Sequence, residues 1–245
     1  GLVSDWHLVH YGSRATGGIG LIIAEMTAIS ETGRITEGCA GIYNAEQLNQ
    51  WKKITDFIHN NTETKIGIQL GHSGRKGATK KPWEGNGPME TPWNLISASP
   101  IPFNENFATP KKMTLEDMEE IKAQFVQATK NADEAGFDMI ELQTHHGFLL
   151  ASFLSPLTNI RTDEFGGSIE NRLKYPLAIF KAIREVFPTE KPISVRISAT
   201  DWAENGISEQ EVITIATAFK NAGADVINVS TGNTVAGQKP LTGRM

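Results

Sequence analysis

The sequence predicts an α/β fold, a (β/α)8 TIM barrel left incomplete at both ends. Three observations carry the expectation. Apolar strand-like runs alternate with amphipathic helical segments along the chain, the order that gives a parallel sheet with right-handed crossovers. A unit of helix, glycine turn and apolar strand recurs at Gly18-Ile-Gly-Leu-Ile-Ile, Gly136-Phe-Asp-Met-Ile-Glu and Gly223-Ala-Asp-Val-Ile-Asn. No Gly-x-Gly-x-x-Gly follows a strand and no P-loop occurs, which favours a barrel over a doubly wound nucleotide-binding sheet. Five strands can be counted where a closed barrel has eight, so residues 1–245 read as one partial barrel domain of about five βα units that lacks the first and last strands.

In order, Asp5 to Ala15 reads as a first helix stopped by Gly17-Gly18, and Gly20 to Met26 as a buried parallel strand. Asn44 caps a helix through Asn60 with Leu48, Trp51, Ile54 and Ile58 on one face and Gln47 at the capping-box position. Strand Lys65 to Leu70 follows. Residues 71–113, rich in Pro, Gly, Asn and Lys with Trp83 and Trp93 embedded, form a long excursion of the kind that is usually functional. Thr114 caps a helix to Ala135 whose apolar positions are Leu115, Met118, Ile121, Phe125 and Ala128, and Gly136 ends it. Phe137 to Gln143 is the next strand. A helix over about Glu170 to Val186 has its first turns disturbed by Pro176. Strand Ile193 to Ser198, a helix from a Ser208/Glu211 capping box to Ala222, strand Val226 to Ser230 and a loop from Thr231 to Met245 complete the chain.

A formal net charge of -5 argues against nucleic acid or an anionic membrane surface as partner. No run of eighteen apolar residues occurs and the first residues lack the features of a signal peptide, so a cytoplasmic protein is expected. The single cysteine, Cys39, excludes an internal disulfide framework and reads as structural.

In such a barrel the chemistry lies at the carboxyl ends of the strands. That places Glu25, Met26 and Thr27, Gln69 with His72, Gln143 to His146, Arg196 and Ser230 around one mouth. Arg196, inside Val-Arg-Ile, requires an anionic partner: a structural carboxylate or a bound anion. Gln69 offers a donor and an acceptor and can read a heterocyclic edge or satisfy backbone groups. His145 and His146 can orient a carbonyl or tie down a loop. A metal site is disfavoured, because no His-x-Glu or His-x-x-x-His pattern accompanies them. Lys65 and Lys191 stand at or before strand starts, against Schiff-base chemistry, and no Gly-x-Ser-x-Gly elbow supports a hydrolase.

Several blocks resemble the old yellow enzyme family of FMN-dependent NAD(P)H oxidoreductases: His7-Leu-Val-His-Tyr-Gly-Ser-Arg-Ala15, Ile68-Gln-Leu-Gly-His-Ser-Gly-Arg-Lys76, His146-Gly-Phe-Leu-Leu150, Phe153-Leu-Ser-Pro-Leu-Thr-Asn159, Arg161 to Arg172 and Val195-Arg-Ile-Ser198. Two segments, Arg75 to Gly85 and Val195 to Trp202, more closely resemble the reductase-like domain of anthraniloyl-CoA and salicylyl-CoA monooxygenases. The resemblance implies FMN across the barrel mouth, with Gln69 reading the flavin pyrimidine edge, Arg196 near N1 and O2, and the backbone around Met26 completing the floor. NADH or NADPH would be the hydride donor. Gln143 and His146 fall where the family holds the substrate carbonyl, and His145 is a further substrate-binding candidate.

The chain departs from that pattern twice: Gln143 stands where a histidine is expected, and Phe148 where many relatives carry a proton-donating tyrosine. A glutamine can donate to a carbonyl but supplies no charge, and phenylalanine donates nothing. The reading is an FMN-dependent oxidoreductase passing hydride to a conjugated carbonyl or thioester. Its alternatives are the reductase domain of an aromatic acyl-CoA monooxygenase and a degenerate flavin-binding barrel without turnover. Lys76, Lys80 and Lys81 are compatible with CoA phosphates or with a solvated basic loop. A homo-oligomer is left open, and the 245-residue chain is expected to hold FMN weakly and to be of low activity by itself.

Overall fold

The computed structural model describes residues 1–85 and 87–239. Its order is α1 (Asp5–Thr16), β1 (Leu21–Ala28), α2 (Ala45–Asn61), β2 (Lys65–Gly71), β3 (Ile96–Ser97), β4 (Lys111–Lys112), α3 (Leu115–Glu134), β5 (Met139–Thr144), α4 (Leu149–Leu154), α5 (Ile169–Val186), β6 (Ile193–Ser198), α6 (Glu209–Asn221) and β7 (Val226–Ser230). The five long strands form one parallel sheet in the order β1-β2-β5-β6-β7, the sequential order of barrel staves.

Local chemistry explains the helix boundaries. The Asn44 side chain accepts from Gln47 N to cap α2, but Gln47 closes no box: its Oε1 takes the Tyr43 amide instead. Thr114 with Asp117 and Ser208 with Glu211 form complete capping boxes on α3 and α6. Leu115, expected on the buried face of α3, is 63% exposed because it occupies the first turn, ahead of the stripe from Met118 to Ala132 that meets the core. Helix α5 runs through Pro176 without a break. The Ser168 cap and the burial of Leu173, Tyr175, Ile179, Phe180 and Ile183 outweigh a proline cost of about 3 kcal/mol. The sequence reading missed α4, a single apolar helix buried along its whole length. Residues 240–245 of the expected terminal loop lie outside the described residues.

Alternation sorts each strand into two faces. Ile140, Leu142, Val195 and Ile197 join the core under the helices. Glu141 and Gln143 of β5, Ser194 and Arg196 of β6, and Asn228 and Ser230 of β7 share the opposite, inner face, as the register Gln69↔Glu141↔Ser194 and Gln143↔Arg196↔Asn228 shows. In β1 the register slips between Ala24 and Met26, so that Met26 pairs with Gln69. This β-bulge re-aims the end of the strand.

The excursion 71–113 is more ordered than a loop. It contains two 3-10 turns, at Gly74–Lys76 and Pro82–Glu84, and the small parallel ribbon β3·β4. Arg161 fastens it. The buried guanidinium donates to Ala98 O at 3.1 Å and Met113 O at 2.8 Å and grips the Asp163 carboxylate with Nε and NH2. Arg172 bonds Leu154 O and the Glu211 carboxylate, so the Arg161–Arg172 block is scaffold.

Candidate active site

The carboxyl ends of the parallel strands bring Met26, Gln69, Gln143, His145, His146 and Arg196 to one mouth. Gln69 and Gln143 face each other on neighbouring strands. Gln143 Nε2 donates to Gln69 Oε1 at 3.1 Å, and Gln69 Nε2 donates to Glu141 Oε1 at 2.7 Å, all three side chains being buried. Gly71 leaves the space that Gln143 fills: a Cβ there would stand 2.3 Å from Gln143 Oε1. Half-buried Met26 lies beside Gln69. Glu25, Thr27 and Thr144 do not join the group. Glu25 turns out to Tyr11 and His7 on α1, Thr27 Oγ1 bonds Glu25 O, and Thr144 Oγ1 donates to Arg196 O.

Gly147 and the residue before it reverse the chain. His146 itself sits at φ 55°, a left-handed conformation costly for a side-chain-bearing residue and concentrated at functional sites. Its amide donates to Ser198 Oγ at 2.9 Å, and its Nε2 shares a 2.7 Å hydrogen bond with Ser230 Oγ. Burial, then the positive charges of Lys76 and Arg196, lowers its pKa to about 4. His145 is buried, edge-on to His146 at 4.1 Å, and is held neutral by burial and then by His146. His72 is neutral for burial alone, with a pKa of about 3.

Lys76 enters this mouth instead of joining a basic patch. Its Nζ donates to His146 O at 2.7 Å and Asn233 O at 2.8 Å between the rings of Phe103 and Phe148, 4.6 and 4.8 Å away. Burial and the Arg75 charge lower its pKa to about 7. Lys80 and Lys81 stay outside, paired with Glu90 and Glu84. Phe148 stands at the N-cap of α4 and packs against His145 and the Lys76 ammonium.

Four buried polar atoms around this mouth have no protein partner: Gln143 Oε1, Arg196 Nε, His145 Nδ1 and His72 Nε2. Buried polar groups are paired in the great majority of cases, so a cluster of orphans marks ligand space. Among the described residues no carboxylate pairs with Arg196, which favours a bound anion over a structural counterion. No group of three or more His, Cys, Asp or Glu among them could hold a metal ion. A flat heterocycle with edge donors and acceptors and a negative charge, as FMN has, fits this mixed set of donors and acceptors. Sequence reasoning missed Glu141, Ser194 and Asn228, although the two-residue spacing of Glu141 from Gln143 and of Ser194 from Arg196 was the signal.

A run of parallel barrel staves with an uncompensated arginine and paired amides at its mouth defines a partial α/β barrel with a candidate anion-binding site at its strand ends. The chain belongs to the NADH:flavin oxidoreductase / NADH oxidase family, whose model matches residues 1–242. It is 42% identical over 241 residues to an NADPH dehydrogenase of Listeria monocytogenes, covering 98% of this chain and 67% of that protein. An NADPH dehydrogenase of Geobacillus sp. is 41% identical over 235 residues, covering 96% of this chain and 65% of the relative. Among solved structures, a 2-naphthoyl-CoA reductase in complex with 2-naphthoyl-CoA superposes with a TM-score of 0.86 at 26% identity, over 97% of this chain and 37% of that one. The old yellow enzyme from Pichia sp. does so with a TM-score of 0.78 at 27% identity, over 93% of this chain and 62% of that one. No helix among the described residues is long and apolar enough to cross a membrane.

Proposed function

We propose that this chain is the partial barrel domain of an ene-reductase-like, cytoplasmic FMN-dependent NAD(P)H oxidoreductase. The carrying observation is the orphaned Arg196 Nε in register with the Gln143–Gln69 amide pair. FMN, reduced by NADH or NADPH, would supply hydride when bound. Gln69 and Arg196 would hold it, the second favouring negative charge on the ring, with Met26 lining the same mouth. His146 orients the carbonyl of the substrate, an activated conjugated carbonyl or thioester, with Gln143 lining the same position and His145 behind them. Phe148 and Phe103 give the mouth apolar walls and exclude water.

The CoA thioester bound by the 2-naphthoyl-CoA reductase supports an acyl-CoA substrate for this chain too, and with it the alternative of an aromatic acyl-CoA monooxygenase reductase domain. Of Lys76, Lys80 and Lys81, Lys76 alone supports such a reading from within the site. Titration of the chain with FMN, followed by flavin fluorescence, tests the proposal. Saturable quenching that Arg196→Met weakens is expected, and unchanged quenching in that variant would sink it. Oxidation of NADPH by the FMN-supplied protein with an enone, compared with an aromatic CoA thioester, then separates the substrate classes. Oxidation that neither substrate accelerates points to the degenerate barrel.

A further inference from the structure

The amide pair at the mouth has a fixed direction, and the residue that fixes it plays no part in the reading above. Glu141 is 1% exposed and faces three donors from three other strands. Its Oε1 accepts from Gln69 Nε2 at 2.7 Å, while its Oε2 accepts from Ser194 Oγ at 3.1 Å and Asn228 Nδ2 at 2.7 Å. A carboxylate only accepts, so the Gln69 amide must turn its nitrogen down toward Glu141 and its oxygen up. The oxygen then requires a donor from Gln143, whose nitrogen fills that role at 3.1 Å. Gln143 Oε1 is what remains. It is buried, without a partner, one layer nearer the mouth than Glu141.

We infer that Glu141 sets the polarity of the Glu141–Gln69–Gln143 relay, so that the mouth presents a hydrogen-bond acceptor at Gln143 and selects ligands carrying a donor there, a hydroxyl or an amino group, over ligands offering only a bare oxygen. The inference rests on the reading that ligands bind at this mouth, and it reverses one expectation drawn from residue type, that Gln143 donates to a carbonyl. A bare carbonyl oxygen set against Gln143 Oε1 would face a second acceptor, and both would stay unpaired. Glu141 is a positioning residue, acting on the ligand through two amides.

The polarity can be inverted without changing shape. In Glu141→Gln the new amide oxygen satisfies Ser194 and Asn228, and its nitrogen donates to Gln69. Gln69 and Gln143 must both flip, and Gln143 then offers its nitrogen to the ligand. The probes are phenol and pyridine N-oxide, which share a shape but present an O–H donor and a bare oxygen. Their competition is measured by ligand-observed NMR with and without FMN. The wild-type chain is expected to favour phenol by about tenfold, the effect of one hydrogen bond made against one lost, and Glu141→Gln to reverse the preference. A second measurement needs no ligand. In labelled protein, Gln143 side-chain amide protons should show contacts to Gly71 Hα in the variant and not in the wild type. A wild-type chain that prefers pyridine N-oxide, shows no preference, or binds neither probe overturns the inference, as does a variant whose Gln143 amide contacts are unchanged. Failure of the flavin reading shows separately, as absence of FMN quenching.

Discussion

Replacing Arg196 with methionine should make the protein more stable and the flavin site weaker. The cation stands half-buried on the inner face of β6, with its Nε buried and partnerless and no carboxylate paired with it among the described residues. A buried donor left unsatisfied costs about 1–3 kcal/mol, and methionine fills a similar length without that demand. Unfolding in urea should therefore show a higher midpoint, by about 1 kcal/mol or more, with an unchanged m-value. Under the proposed assignment of Arg196 to the flavin, the same change removes charge-assisted hydrogen bonds to an anionic ring, about 1.5–3 kcal/mol, so FMN affinity should drop about 10- to 150-fold. The variant also removes one of the charges that depress His146, whose pKa of about 4 should rise in an NMR titration, although burial, the larger cause, and Lys76 remain. A variant destabilised by more than about 1 kcal/mol would refute the reasoning, because it would mean that the guanidinium is satisfied within the protein.

Three further expectations follow from the same neighbourhood. His146 titrates near pH 4 when folded and near 6.5 when unfolded, so the unfolded chain binds more protons between those values; stability should fall as pH drops through that window, and His146→Gln should flatten part of the slope in urea titrations. Lys76 is lowered from 10.5 to about 7, so its contribution has the same sign in a higher window: stability should rise with pH between those values, and Lys76→Met should abolish that rise while freeing His146 O and Asn233 O. In Gly71→Ala the added methyl would stand 2.3 Å from Gln143 Oε1 and 2.7 Å from its Cδ, which should cost about 1–3 kcal/mol in chemical denaturation; an unchanged midpoint would show that Gln143 can leave its place freely.

Much of the architecture was legible because the signals were local. The short strand-like runs Ile193–Ser198 and Val226–Ser230 gave the bounds of β6 and β7, and Ser208 with Glu211 fixed the start of α6. Gln69, Gln143, His146 and Arg196 were legible as candidates because strand ends of a parallel barrel converge wherever the intervening helices go. What escaped depends on contacts distant in sequence. No local pattern says that Lys76 folds inward while Lys80 and Lys81 stay with nearby glutamates, or that Arg161 binds carbonyls 63 and 48 residues away. Helix α4 was missed because six residues hold too little periodicity to separate a buried helix from a loop. The direction of the amide pair was invisible for a different reason: residue identity gives Gln143 both a donor and an acceptor, and only the carboxylate two residues earlier decides which one is left over.

The slip in β1 decides a question of charge by counting. Were the strand to run straight, Glu25 would stand opposite Gln69 and turn its carboxylate into a mouth that otherwise gathers cations and an anion site. The extra residue instead hands that place to a thioether and sends the carboxylate outward, where Tyr11 and His7 tie it to α1. Excising Glu25 would restore regular alternation with Met26 still facing inward, so the inner surface would keep its composition while the first helix lost its tether. The bulge thus lets one short strand serve two masters, a neutral floor inside and an ionic anchor outside, that strict two-residue alternation could not place on consecutive residues.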